Sequence, residues 1–284
     1  MKPAWIRSRI PADGISKKVN FILDKYGLHT VCDEARCPNK GECWGMGTAT
    51  FMILGDTCTR NCRFCAVKTG REGQPLREEE GAEITAVAEE LGLKYLVLTS
   101  VDRDDLPDRG ADHFAACIRA VKERLPELKV EALTPDYNGE EFAPIAAAGL
   151  DLAAHNIETV RSFQHIRDSR ASFDKSLATL RAAKAFGLTT KSSILLGLGE
   201  KKQEVLEAMG ELHDTGLDIL VLGQYLRPSE KQIPLAEYIT PEQFADYGRE
   251  ARERGFPVVV SAPLARTSYH ALEAWQILAG ESGS

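Results

Sequence analysis

The sequence predicts an α/β fold in which six or seven parallel strands alternate with helices, as an incomplete barrel or an open doubly wound sheet. Three observations carry that expectation. Short runs rich in Val, Ile and Leu alternate with longer amphipathic segments from residue 50 onward. A glycine follows the helical segments at Gly92, Gly149, Gly187, Gly216 and Gly255, where a left-handed cap is wanted. The length, 284 residues, suits one α/β barrel of about 200 to 250 residues with extensions.

In chain order, strand 50–55 precedes helix 79–91, strand 95–99 precedes helix 112–125, and strand 129–132 precedes helix 140–148. Strand 152–156 then leads to helix 173–186, strand 190–195 to helix 202–215, strand 219–222 to helix 241–254, and strand 258–261 closes the series. The spacing of about 30 to 40 residues is that of one βα module, without solenoid-like self-similarity. Barrels and doubly wound sheets both gather chemistry at the carboxyl ends of their strands. Functional residues are therefore expected just after Gly55, Thr99, Leu133, Asn156, Leu196, Leu222 and Ser261. Residues up to Met46, rich in Cys, Pro and Gly, and the tail after Pro263 fall outside the scheme.

The formal net charge is −7, and no block of Lys and Arg suggests a phosphate-tracking surface, so nucleic acid is not an expected partner. Cys43–Gly55 is the longest stretch free of charged residues, well short of the about 20 apolar residues that span a bilayer. The start, MKPAWIRSRIP, has no apolar segment behind its basic residues and does not read as a secretory signal. A cytoplasmic protein without a membrane partner is expected.

Cysteine usage says more. There are 7, and all but Cys117 crowd between Cys32 and Cys65; an odd count in a reducing compartment points to metal rather than disulfides. Cys58, Cys62 and Cys65 are spaced C-x3-C-x2-C directly after the first strand, on the expected functional face. Three thiolates on a tight loop can hold three irons of a cubane and leave the fourth open to substrate. Structural zinc is the alternative, but it takes four ligands, commonly from paired knuckles absent here. Cys32, Cys37 and Cys43 form a second triplet, C-x4-C-x5-C, in which Pro38 and Gly41 let the backbone wrap around an ion or cluster. Alone, that triplet suits zinc and iron–sulfur about equally. Cys117, on the apolar side of a predicted helix with Phe114 and Val121, reads as a small buried thiol. Gly197-Leu198-Gly199 lacks the third glycine of a dinucleotide-binding turn.

The spacing of Cys58, Cys62 and Cys65, with Phe64 before the last cysteine, resembles the signature of radical S-adenosylmethionine enzymes. In that family the cofactor chelates the open iron, and its reductive cleavage yields a 5′-deoxyadenosyl radical that abstracts unactivated hydrogens. Together with the second triplet and the phrase Arg36-Cys37-Pro38-Asn39, the pattern resembles the lipoyl synthase family. The resemblance runs roughly from residue 30 to residue 275. It implies a partial (β/α)6 TIM-type barrel at 47–262 and an N-terminal extension, 1–46, bearing Cys32, Cys37 and Cys43 for an auxiliary [4Fe–4S] cluster. A C-terminal extension, 263–284, would cover that cluster. It carries Arg266-Thr267-Ser268-Tyr269 where the family has Arg-Ser-Ser-Tyr, so Ser268 is the expected fourth ligand. A labile oxygen ligand suits a cluster that must surrender sulfur. Read alone, Thr267 or Ser268 could simply cap a terminal helix.

By the same resemblance, Cys58, Cys62 and Cys65 bind the cluster that holds S-adenosylmethionine. Thr99, Ser100 and Asp102 are expected at its methionine amino group and Asn156 and Glu158 at its ribose, with Lys191, Gln224 and Leu226 as further contacts. The implied reaction inserts two sulfurs, at C6 and C8, into an octanoyl chain on a lysine of a lipoyl domain, with Cys58, Cys62, Cys65 and Ser268 as the catalytic set. The carrier would be a 2-oxoacid dehydrogenase or glycine cleavage H protein, the electron donor a ferredoxin or flavodoxin, and the enzyme a monomer. Another auxiliary-cluster radical enzyme, or a non-enzymatic iron–sulfur or zinc protein, are the rival readings.

Overall fold

The computed structural model describes residues 2–6, 15–26, 29–30 and 39–280. The amino-terminal part holds α1 (Ile15–Tyr26), β1 (His29–Thr30), α2 (Lys40–Gly45), β2 (Thr48–Ile53), β3 (Thr57–Cys58) and β4 (Lys68–Thr69). Next come α3 (Glu80–Leu91), β5 (Tyr95–Ser100), α4 (Ala111–Arg124), β6 (Lys129–Leu133), α5 (Gly139–Ala147) and β7 (Leu152–Ala154). The rest is α6 (Phe173–Ala185), β8 (Thr189–Leu196), α7 (Lys202–His213), β9 (Ile219–Gln224), α8 (Pro241–Glu253), β10 (Val258–Ser261) and α9 (Ala271–Ala279).

The main sheet runs β1-β2-β5-β6-β7-β8-β9-β10. Its edge strand β1 pairs antiparallel with β2, and every other neighbouring pair is parallel. Because spatial order follows chain order, the crossover reversal of a doubly wound sheet is absent, and the barrel alternative holds. Six βα modules plus a seventh parallel strand, β10, make the partial barrel. Helix starts carry the expected chemistry: Asn138 and Thr240 close capping boxes, with Pro241 in the first turn of α8.

Alternation along the strands builds two cores. Outward-facing Leu96 and Leu98 join Ile84 and Val87 of α3 and Phe114 and Ile118 of α4 in one buried cluster. Inward-facing Tyr95 and Val97 pack against Ala271, Leu272 and Trp275, while Leu152, Ala154, Ile219, Val221 and Val258 pack with Ala274, Trp275 and Leu278. The inward faces of β5, β7, β9 and β10 thus pack on one helix, α9. Burying each large apolar side chain contributes roughly 1.5–3 kcal/mol.

The α1, α2 and β1 elements have no counterpart in the sequence reading, which took residues up to Met46 as a Cys-, Pro- and Gly-rich extension, although the sequence of α1 carries an apolar stripe at Ile15, Val19, Ile22, Leu23 and Tyr26. Among the described residues no helix is long and apolar enough to cross a membrane.

Candidate active site

The cysteine loop starts where β2 ends. Leu54 and Gly55 take φ of +68° and +87°, turning the chain across the carboxyl end of the sheet to Cys58. The loop is then pinned on three sides. Arg60, 5 % exposed, grips Asp104 through two bonds of 3.0 and 2.8 Å, Asp136 at 2.6 Å and Asp102 at 3.3 Å. Those carboxylates follow β5 and β6. From the β7 side, the Arg63 amide donates to Ile166 O at 2.7 Å and the Asn61 amide to Asp168 at 3.0 Å. From the β9 side, the Ile233 amide donates to Arg63 O at 2.9 Å and the Gln232 amide nitrogen to Cys65 O at 3.1 Å. The Arg60 and Asp168 amides also donate to Cys58 and Cys62 sulfurs at 3.4 and 3.3 Å, the kind of bond that tunes a cluster ligand.

Two adjoining cavities open above the barrel interior. One, about 290 Å³, is lined by Cys58, Cys62, Cys65, Ser100 and Asp102; the other, about 480 Å³, by Val97, Ser193, Val221, Leu226, Thr267 and Ser268. Phe64, Thr99, Leu133, Asn156 and Glu158 line both. Lys2 and Ile6 of the N-terminal segment border the larger one.

Burial pushes Cys58 up to about 11 and Cys62 up to about 12, and raises Cys65. It also lifts Asp102 to about 6 despite Arg60, and raises Glu158. Three thiols beside the Asp102 and Glu158 carboxylates at the cavity wall form a donor set to which an iron–sulfur cluster would bring positive charge, holding the sulfurs as thiolates. Ser100 Oγ is buried with no partner among the described residues, a polar atom left for a bound molecule. The arrangement fits the cluster and cofactor.

The C-terminal loop reaches the larger cavity through Ala265, Arg266, Thr267 and Ser268. Gly223 on β9 admits it: a Cβ there would lie 2.2 Å from Ala265 O. Thr267 Oγ1 donates to Asn156 Oδ1 at 3.1 Å and lies 3.3 Å from Ser193 Oγ, so its hydroxyl is engaged away from the helix. The N-cap of α9 is His270, with no side-chain capping bond; the simple cap reading of Thr267 and Ser268 is set aside. Helix α2 holds the loop too, through Asn39 Nδ2 to Leu264 O at 2.6 Å and Tyr269 Oη to Glu42 at 3.3 Å. Cys43, on α2, is close enough to raise the Tyr269 hydroxyl electrostatically, after burial and Glu42. Glu42 and Cys43 of α2 thus lie beside Tyr269, the residue after Ser268, while Cys32 and Cys37 lie outside the described residues. Substituting Gly223→Ala is expected to displace the loop at a cost of about 1–3 kcal/mol, sparing S-adenosylmethionine cleavage and suppressing product formation; separate assays of the two steps check this.

Of the expected contacts, Lys191 sits elsewhere, while Gln224 borders the larger cavity with its side-chain amide engaged behind it. Lys191 lines neither cavity; its ammonium donates to Glu131, which also accepts from Tyr95 Oη at 2.8 Å, in a fully buried group within the barrel. Gln224 alternates outward on β9, and its amide bonds Leu196 O at 2.9 Å, Glu237 O at 3.1 Å and the Ile239 amide at 2.8 Å. A bracket between β9 and the next loop is its role here. Thr99, Ser100, Asp102, Asn156, Glu158, Gln224 and Leu226 border the cavities. Arg60 and Asp136 escaped the sequence reading; Arg60 lies inside the cysteine motif, but its partner is 76 residues away.

His155 is a satisfied core histidine. Its Nδ1–H donates to Thr134 O and its Nε2 accepts from Ser176 Oγ, both at 2.9 Å; Ser176 in turn accepts from Arg167 at 2.9 Å. Burial pushes its pKa down to about 4. The unfolded chain binds this proton near 6.5 and the folded chain does not, so stability is full above about 6.5 and is lost as pH falls toward 4. Unfolding midpoints measured across that range are expected to fall less steeply in His155→Gln than in the parent.

Residues 52–212 match the Radical SAM superfamily. The chain is 49% identical to the lipoyl synthase of an Anaeromyxobacter species over 288 residues, 100% of this chain and 97% of that protein. It is also 49% identical to the mitochondrial lipoyl synthase of Danio rerio, covering 95% and 70% of the two chains. Among solved structures, the FeFe-hydrogenase maturase HydG from Carboxydothermus hydrogenoformans superposes with a TM-score of 0.62 at 14% identity, covering 93% of this chain and 68% of that one; this likeness concerns the fold alone. Identity of this order over nearly the whole length, on a partial barrel with three cysteines at its mouth, makes the chain a member of the lipoyl synthase family within the Radical SAM superfamily.

Proposed function

We propose that the protein inserts two sulfur atoms, at C6 and C8, into an octanoyl chain amide-linked to a lysine of a lipoyl domain. Cys58, Cys62 and Cys65 would hold the cluster that binds S-adenosylmethionine, and Cys32, Cys37, Cys43 and Ser268 an auxiliary [4Fe–4S] cluster. When bound, these groups supply a hydrogen-abstracting radical and the sulfur. The observation that carries the reading is the meeting of two distant segments on one pair of cavities: the cysteine loop on one side, the Ser268 loop on the other, linked by Thr267 and Asn156.

The chain's own residues bind and exclude. Val97, Leu133, Leu195, Val221 and Leu226 give the larger cavity an apolar wall, and each methylene buried there contributes about 0.8 kcal/mol. Ser100, Asp102, Asn156 and Glu158 offer polar contacts on the cysteine side. Residues 1–46 and 263–284 act as the flanking sections of the barrel at 47–262. The reading includes a ferredoxin or flavodoxin as donor, a 2-oxoacid dehydrogenase or glycine cleavage H protein as carrier, and monomeric action in a reducing cytoplasm that keeps thiols free.

The test is an anaerobic reaction of cluster-loaded protein with dithionite, S-adenosylmethionine and an octanoyl-lysine peptide, read by mass spectrometry. Gain of two sulfurs with loss of two hydrogens is expected. Release of 5′-deoxyadenosine over an unchanged peptide would instead favour another substrate, and neither product would remove the enzyme reading.

A further inference from the structure

Away from the cavities, three donor groups from two helices converge near the end of β2. Glu80 opens α3, while His113 and Cys117 stand four residues apart on one face of α4. One donor atom from each lies within 4.8 Å of both others. The Glu80 and His113 side chains are 7% and 10% exposed, and Cys117 is 1% exposed. The helices meet closely here because α3 has Gly81 at the contact; a Cβ on it would sit 3.1 Å from Cys117 Cα.

This cluster is electrostatically incomplete. Glu80 Oε2 accepts from His113 Nε2 at 2.7 Å and from the Leu54 amide at 3.2 Å. Among the described residues, its ion-pair partner is His113, whose ring carries a charge only when protonated. Burial and the Glu80 carboxylate also push the Cys117 thiol up. A divalent cation relieves both penalties, since it neutralises the carboxylate and holds the sulfur as thiolate. One sulfur, one imidazole and one carboxylate are the donor set of a four-coordinate zinc site whose remaining position takes water. The part-exposed edge of His113 provides that access.

We propose that Glu80, His113 and Cys117 bind one zinc-class divalent ion that clamps α3 to α4. On binding, the Nε2 proton of His113 moves to Nδ1, the Cys117 proton passes to solvent, and Nε2 and the thiolate coordinate the ion. Because Glu80 also holds the Leu54 amide, the clamp bears on the residue from which the cysteine loop departs. The site is independent of the sulfur-insertion reading.

The experiment uses protein already loaded with its iron–sulfur clusters, anaerobically, with zinc added and excess removed by gel filtration. One zinc per chain is expected without loss of iron, with a raised unfolding midpoint. His113→Ala and Cys117→Ser should each weaken zinc binding at least tenfold in competition with a chromophoric chelator. Cobalt in place of zinc should give a thiolate-to-metal charge-transfer band in the parent that is absent in Cys117→Ser. This readout survives a modest loss of stability in the variant. No zinc retained by the parent, or retention and spectra indifferent to both substitutions, would overturn the site.

Discussion

Replacing Cys58 by alanine is expected to abolish reductive cleavage of S-adenosylmethionine. Cys58 is fixed at both neighbours: Thr57 and Cys58 pair with Lys68 and Thr69, and the Gly70 amide donates to Cys58 O at 2.9 Å. The backbone of a Cys58→Ala chain keeps this frame, so the loss falls on the ligand itself. Two thiolates hold a cubane too weakly to leave a single defined open iron. Iron content should fall by about four per chain, and 5′-deoxyadenosine should drop below detection. Cys37→Ala is the counterpart: it should spare cleavage and block sulfur transfer. Normal 5′-deoxyadenosine release by Cys58→Ala would falsify the assignment of the open cluster, and dithiolane formation by Cys37→Ala would remove the auxiliary cluster as sulfur source.

Arg60→Ala is expected to have the largest effect of any substitution outside the ligands. Its guanidinium is the shared counter-charge of Asp102, Asp104 and Asp136, whose side chains are 25%, 18% and 1% exposed. Removing it leaves like charges crowded in a poorly solvated place, a loss of about 3–5 kcal/mol when a buried pair is broken on one side. For a chain of this size that lowers the unfolding midpoint by roughly 10 °C. Cluster loading should fail in parallel, because the cysteine loop loses its tie to β5 and β6. Arg60→Lys should recover only part of both, since a point charge cannot reproduce the fork to Asp104. Unaltered stability and iron content in Arg60→Ala would show the network to be dispensable.

The βα rhythm was legible because strands buried on both faces are continuous apolar runs and the intervening helices end on glycine. The cysteine loop was legible because its three ligands lie within eight residues, with chemistry encoded in local spacing. Cys43 and Ser268 are linked only through resemblance, since 224 residues separate them and no local pattern ties positions that far apart.

Tertiary structure decided the rest. Whether the strands wound into a barrel or an open sheet depended on their order, which apolar runs do not record, and on α9 occupying the interior. Lys191 lies near the start of β8 and faces an interior carboxylate, while Gln224, at the end of β9 on the border of the larger cavity, turns its side chain outward; a one-residue alternation sets which face each takes. Arg60, His155 and the convergence of Glu80 with His113 and Cys117 became visible only when elements far apart in sequence were packed together. The sequence by itself thus determined the modules and the local cysteine loop, because neighbouring residues dictate both. Which distant charges, hydroxyls and thiols share a buried site was left to the tertiary fold, because burial and pairing arise between elements.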